Sequence, residues 1–274
     1  MIFRKYEGAK NDFILIDSQS AGSIKIEHLA QMAKILCQRQ SSIGADGLIY
    51  LSLESNLWSW IFYNSDGSRA SMCGNAARCV AHWLHSKNPE KPDWSTSWQG
   101  ESGKILARKS GKNFEVSWLV NGTPIKLTKA PKILETLKKE IPDLEWAFIN
   151  AGVPHLVLNT KLIWPQDLRK QYSSELAHHP SFGREGTNVS WLQSSNFQTV
   201  TFERGVEDET LACGSGAIAC FMAKKHFGAL ESQMFFNFPG GKLCISMDEQ
   251  KRLWLRGPSH FVYEGEINGI EIDE

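Results

Sequence analysis

The sequence predicts an α/β protein of the α+β type, with two similar mixed-sheet domains, each wrapped round a central helix and related by a pseudo-twofold axis. Three observations carry that prediction. The segment Met72-Cys73-Gly74-Asn75-Ala76-Ala77-Arg78-Cys79 is echoed in the second half by Ala212-Cys213-Gly214-Ser215-Gly216-Ala217-Ile218-Ala219-Cys220, so two Cys-Gly turns each open an Ala-rich helix. A weaker repeat surrounds them, for Ile43-Gly44-Ala45-Asp46-Gly47-Leu48-Ile49 precedes the first turn at nearly the distance at which Gly186-Thr187-Asn188-Val189-Ser190-Trp191 precedes the second. The length, 274 residues, suits two modest domains, and a duplication on this scale means two copies of one supersecondary unit.

In chain order, residues 12–16 read as a strand and residues 26–37 as a helix; residues 154–158 and 166–177 take the same two places in the second half. A strand pair follows each Gly motif, with strands over residues 57–63 and 197–202 leading to the loops Asn64-Ser65-Asp66-Gly67 and Glu203-Arg204-Gly205. Each Cys-Gly turn, its helix and further strands come next. Over residues 75–86, Ala77, Val80, Ala81 and Leu84 keep helical spacing, whereas residues 217–223 are apolar all round, as expected of a helix engulfed by its sheet and stopped by Gly228. Residues 95–112 and 120–131 are rich in turn formers and small polar residues, which sets a domain boundary near residue 119. The first domain is therefore 1–119, joined by a last strand over 261–272 that crosses back (about 262–274), and the second is 120–261.

Apolar residues make up 42% and charged residues 22%, enough of the first to build a core. Lys plus Arg equal Asp plus Glu at 30 each, so no net field draws the chain to nucleic acid or to anionic lipid, and neither is expected as a partner. Arg4, Lys5, Glu7 and Lys10 interrupt any apolar run near the start, and no later stretch approaches a membrane span; the expectation is a cytoplasmic protein. Six cysteines without a secretory signal read as free thiols, and the absence of a C-x-x-C pair argues against a metal site.

Cys73 and Cys213 stand apart from the other four. A cysteine just ahead of a helix meets exposed backbone N–H groups and the positive end of the helix dipole, both of which favour thiolate. The N–H groups at Gly74-Asn75 and Gly214-Ser215 can in addition hold a carboxylate. A thioester-forming nucleophile needs one Cys beside a His, but here the cysteine is duplicated together with its binding turn. Two such thiols suit a two-base inversion of a carbon centre, in which one removes the α-proton and the other delivers a proton to the opposite face. Cys37, Cys79, Cys220 and Cys244 read as small buried hydrophobes.

The strings Gly8-Ala9-Lys10-Asn11-Asp12-Phe13, Gly44-Ala45-Asp46-Gly47, Tyr63-Asn64-Ser65-Asp66-Gly67, Met72 to Cys79, Pro154-His155, Gly186-Thr187-Asn188-Val189, Glu203-Arg204-Gly205 and Ala212 to Gly216 resemble diaminopimelate epimerase, in that family's order and over nearly the whole chain. The resemblance implies a cofactor-independent isomerase that interconverts LL- and meso-diaminopimelate in lysine and cell-wall biosynthesis. Its two halves would close over a small amino-acid substrate. By motif, Cys73 and Cys213 would be the acid/base pair, with His155 and Glu203 tuning the thiols. Gly74, Asn75, Gly214 and Ser215 would hold the carboxylate at the reacting end, and Asn11, Asn64, Asn188, Glu203 and Arg204 would recognise the rest. A homodimer is compatible with this reading, though no residue pattern carries it.

Adjacent residues on a strand face opposite ways, so Glu203 and Arg204 share a site only if the strand ends there, and Gly205 supplies an ending. Arg78 reads as a structural ion-pair partner. Two departures from the family stand out. Lys10 replaces a usual Gly, and Val153 replaces an Asn found in many members before Pro-His; racemases of other amino acids with the same two-thiol chemistry are the alternative.

Overall fold

The computed structural model describes residues 1–20, 24–91, 94–120, 122–127 and 129–268. Two compact units emerge, Met1–Leu119 with Arg256–Glu274, and Val120–Leu255. Residues 256–261 thus fall with the first unit.

The first unit begins with β1 (Ile2–Gly8) and β2 (Asn11–Asp17), followed by α1 (Leu29–Leu36), β3 (Gly47–Glu54), β4 (Leu57–Asn64), α2 (Gly74–Ser86), β5 (Ser95–Gly100), β6 (Gly103–Ser110) and β7 (Asn113–Ser117). The first turn of the expected helix over 26–37 is a separate 3-10 turn, Ile26–His28. In the second unit come β8 (Thr123–Pro124), α3 (Lys132–Glu140), β9 (Glu145–Asn150), β10 (Pro154–Thr160), α4 (Gln166–Ala177), β11 (Asn188–Gln193), β12 (Thr199–Glu203), β13 (Asp208–Thr210), α5 (Gly214–His226), β14 (Gln233–Phe238), β15 (Gly241–Met247) and the first three residues of β16 (Leu253–Gly257). The chain then returns to the first unit as β17 (His260–Glu266). The strand expected to run to residue 272 stops at Glu266, and residues 269–274 lie outside the described ones.

Both units carry mixed sheets. In the first, strands lie in the order β7-β6-β5-β4-β3-β2-β1-β17, antiparallel except for the parallel pairs β2/β3 and β4/β5. In the second, β13-β12-β11-β10-β9-β8 form one sheet, with β10/β11 its parallel pair. The central strands read as continuous apolar runs because both faces are covered: Ile14, Leu15 and Ile16 of β2 and Leu156, Val157 and Leu158 of β10 are wholly buried. No helix among the described residues is long and apolar enough to cross a membrane.

The β1–β2 hairpin turns at Ala9 and Lys10, both with positive φ (56° and 64°), as a two-residue hairpin turn of right-handed strands demands. Lys10 thus sits in a left-handed conformation, and its backbone N–H donates to Glu7 Oε2 at 2.8 Å. The turn fixes where β2 starts, and Asn11 is its first residue.

Helices α2 and α5 occupy the middle of their units. Amphipathic spacing anticipated α5 as the more enclosed, yet α2 is buried on nearly every side too, including Asn75, Arg78, Trp83 and His85. Arg78 and Asn75 bond inside the unit and His85 Nε2 meets Lys109 Nζ at 3.0 Å, while His85 Nδ1 is buried without a hydrogen-bond partner among the described residues. Strands β5 and β6 occupy the turn-rich stretch after α2, punctuated by Gly100-Glu101-Ser102-Gly103. Helix α3 went unread from the sequence, although Ile133, Leu134 and Leu137 keep helical spacing and are buried in the core below β10 and β11.

Candidate active site

Each central helix begins the same way. Cys73 is the N-cap of α2 with φ −141° and ψ 118°, and Cys213 is the N-cap of α5 with φ −122° and ψ 114°. Their carbonyls accept the first helical bonds, from Ala77 N at 2.9 Å and Ala217 N at 3.0 Å. An extended N-cap followed by Gly turns the first N–H groups along the helix axis past the sulfur, where an anion can meet them.

Around Cys73 the first unit gathers Asn11, Gly74 and Asn75. The Cys73 Sγ lies 3.8 Å from Asn11 Oδ1, which also accepts from Asn75 Nδ2 at 3.2 Å. The other end of the Asn11 amide donates to Asp46 Oδ2 at 2.6 Å. Asp46 is in turn paired with Arg39 at 2.8 Å, and Arg39 reaches Asp12 at 2.6 Å. Burial alone would raise the Asp12 carboxyl; bonds from Arg39 and Lys5 outweigh it and hold the group below the usual carboxylate range. Asn64 is exposed, its amide donating to Ser68 Oγ at 2.9 Å in the turn after β4. Arg78 is structural through neutral oxygens: it donates to Gly74 O at 3.2 Å, Asn75 Oδ1 at 2.8 Å and Pro258 O at 3.3 Å. Burial lowers it to about 10, opposed by nearby Cys79, Cys73 and Glu7.

The second unit gathers His155, Asn188, Glu203, Gly214 and Ser215 around Cys213. His155 and Asn188 are register partners on the parallel strands β10 and β11, so their side chains lie on one face. Strand β12 ends at Glu203, and Gly205 follows with φ 85°, which frees the chain to turn back through Glu207 toward β13. Asn188 Oδ1 accepts from Arg204 N at 3.1 Å, which sets its amide with Nδ2 toward His155 Nε2, 3.3 Å away. The ring's Nε2 therefore accepts and its Nδ1–H donates, to Ser190 Oγ at 3.2 Å. Ser215 Oγ lies 2.9 Å from the same Nε2 and 3.4 Å from Cys213 Sγ, linking imidazole to thiol. Burial, with Arg204 adding, lowers His155 to about 3, so the ring is neutral.

Burial pushes the Cys213 thiol well above its usual range and the neighbouring Glu203 carboxylate adds to this, against hydrogen bonds from Ser215 and Gly216 N–H. Desolvation raises Glu203, opposed by donors on Thr210 and Cys213. Cys213 is thus a thiol directed at a carboxylate. The Arg204 guanidinium reaches the carbonyl of Glu185. Cys37, Cys79, Cys220 and Cys244 are buried, and burial raises Cys37 and Cys79 to about 12.

Ser190 and Asp46 join these clusters without standing out in the sequence. Two signals were available. Ser190 is two residues beyond Asn188 and so shares its face, and Asp46 stands between the two glycines of the Gly44 to Gly47 motif.

The model of a family described as "Diaminopimelate epimerase" matches residues 3–124 and 147–262. A Campylobacter jejuni protein named diaminopimelate epimerase is 36% identical, with 98% of this chain and 99% of that protein covered. One of the same name from Hydrogenobaculum sp. is 32% identical over 98% of this chain and 99% of its own. Among solved structures, a "Predicted Epimerase" from Pseudomonas aeruginosa shares the fold at a TM-score of 0.70 and 12% identity, covering 98% of this chain and 99% of its own.

Proposed function

The chain belongs to the diaminopimelate epimerase family, and from that premise we propose that it interconverts LL- and meso-diaminopimelate, a step of lysine and cell-wall precursor biosynthesis. The observation that carries the reading is the pair of matched N-cap thiols, each with its own polar support. One sulfur, as thiolate, takes the α-proton; the other, as thiol, gives a proton to the opposite face. Reversal exchanges the roles, so the two titrations belong to the pair rather than to either residue.

Removing an α-proton leaves negative charge on the carbon and its carboxylate. N–H groups at Gly74, Asn75, Gly214 and Ser215, on helix starts, can stabilise that charge, and so the reading calls for no cofactor. Glu203 accepts the Cys213 proton in a hydrogen bond, which supports a thiol-tuning role, and neutral His155 acts on the same sulfur through Ser215. Asn11, Asn64, Asn188 and Arg204, with Glu203, would recognise the remaining amino-acid head, carboxylate to guanidinium and ammonium to carboxylate. Six free thiols fit a reducing compartment, which supports a cytoplasmic enzyme acting on a small molecule.

The test is the reaction in D₂O. The thiol facing the product side carries a solvent-exchanged proton, so early label should enter the product ahead of the recovered substrate, in both directions. Equal early labelling of both isomers means one mobile base and overturns the two-thiol assignment.

A further inference from the structure

We propose that Asp46 and Arg78 are positioning residues that fix the Asn11 amide with its oxygen toward Cys73, raising the pH at which that sulfur becomes a thiolate before substrate arrives. An Asn side chain is ambiguous by itself, since either end can face a neighbour. A chain of amides becomes directional when its ends are not. At one end Arg78, a donor only, bonds Asn75 Oδ1 at 2.8 Å, which leaves Asn75 Nδ2 to donate onward. It does so to Asn11 Oδ1 at 3.2 Å. At the other end Asp46, an acceptor only, takes Asn11 Nδ2 at 2.6 Å and Asp12 N at 3.1 Å. Both ends give the same orientation for Asn11. Flipping it would set one N–H₂ against another at Asn75 and leave Asp46 facing an oxygen.

The sulfur 3.8 Å from Asn11 Oδ1 therefore meets an acceptor, which a thiol satisfies with its S–H and a thiolate does not. Arg39, bound to both Asp12 and Asp46, keeps the terminal carboxylate in place from outside, and Lys5 braces Asp12 at 2.7 Å. Arg78 and Cys79 on α2 interact electrostatically with Cys73, as both do with Glu7, and none of these three is changed by a substitution at Asp46. The positioning chain rests on the reading of Cys73 as a proton-transfer group for its meaning, but not for its measurement.

The experiment follows alkylation of Cys73 by iodoacetamide against pH in the full-length protein, with peptide mass spectrometry separating it from the buried cysteines. Asp46→Leu removes both charge and acceptor; Asp46→Asn removes the charge but keeps an oxygen that two donors, Asn11 Nδ2 and Asp12 N, hold in place. The Leu variant should lower the Cys73 midpoint by about half a pH unit or more, roughly threefold faster alkylation below the midpoint. The Asn variant should restore the wild-type profile. Equal shifts in the two variants would reduce Asp46 to a distant charge and overturn the proposal, as would an unchanged midpoint in a folded Leu variant. Should Asp46→Leu fail to fold, Asn11→Ala and Asn11→Ala/Asp46→Asn serve. Removing the acceptor should lower the midpoint, and the second change should then add nothing; an unmoved midpoint or an additive shift overturns it. If Cys73 proved dispensable for turnover, the functional reading would fall while the alkylation profiles still judged the positioning chain.

Discussion

His155 shows how a single residue can be both readable and hidden. Its place after Pro154 is plain in the sequence and motif resemblance implies a role toward the thiols, but the state of its ring was not legible. That state depends on Asn188, Ser190 and Ser215, residues far apart in sequence that β10, β11 and the start of α5 bring together. The folded ring titrates near 3 against an ordinary 6.5. Above pH 6.5 it is neutral in both folded and unfolded chains and adds no pH dependence. As pH falls below 6.5 the unfolded chain takes up a proton that the folded one refuses, so stability drops by up to about 1.4 kcal/mol per pH unit until the folded ring titrates. His155→Gln should lose about 1 to 3 kcal/mol at pH 7 through imperfectly paired buried hydroxyls, yet its Tm should fall less between pH 6.5 and 4 than that of the wild type. Thermal unfolding across that range measures both; parallel Tm curves would mean the ring is not the group responsible. Asn64 teaches the reverse lesson. Its turn chemistry was legible, and the structure finds one N–H of its amide bonded within that turn, to Ser68 Oγ.

At the scale of elements, the two central helices were legible because small residues recur at both Cys-Gly turns. The enclosure of α2 was not, because Arg78, Asn75 and His85 look like solvent-facing residues until their partners are known. Gly216 in the first turn of α5 shows what such close packing demands. A Cβ there would lie 2.6 Å from Thr201 Oγ1 and 3.3 Å from Ser190 Oγ, the pair on β12 and β11 that backs His155. Gly→Ala inside a helix ordinarily gains about 0.5 to 1 kcal/mol. Here the contact is shorter than side chains tolerate and the hydroxyls are wholly buried, so Gly216→Ala should instead destabilise by about 1 to 3 kcal/mol. Urea denaturation decides the sign. A midpoint at or above that of the wild type would show that β12 yields easily and that the helix start is not wedged against it. Strand β9 and helix α3 were missed for another reason: they have no counterpart in the motif repeat from which the element order was read.

The whole molecule is two units of which only one is continuous. The duplication was legible from the Cys-Gly echo, and a returning last strand was anticipated, but the sequence held no sign of how much depends on it. β17 pairs with β1 from Ile2 to Glu7; Tyr263 and Phe261 set their rings edge-on against Phe3 and Tyr6, at 5.7 and 5.5 Å between centroids. Pro258, just ahead of β17, supplies a carbonyl to the buried Arg78. A ribosome making this chain from its amino end therefore releases residues 1–119 long before their closing strand exists, while Val120–Leu255 follow as one uninterrupted piece. Nascent chains stalled with residues up to Leu255 clear of the exit tunnel should show a protease-resistant second unit and a cleavable first. Stalling beyond Glu266 should protect both. Cleavage that is already suppressed in the first unit at the earlier stall would show that β1 needs no returning partner. Where β17 is required, synthesis order makes the cradle of Cys73 mature after that of Cys213, leaving its thiol unsupported for as long as translation of the second unit lasts.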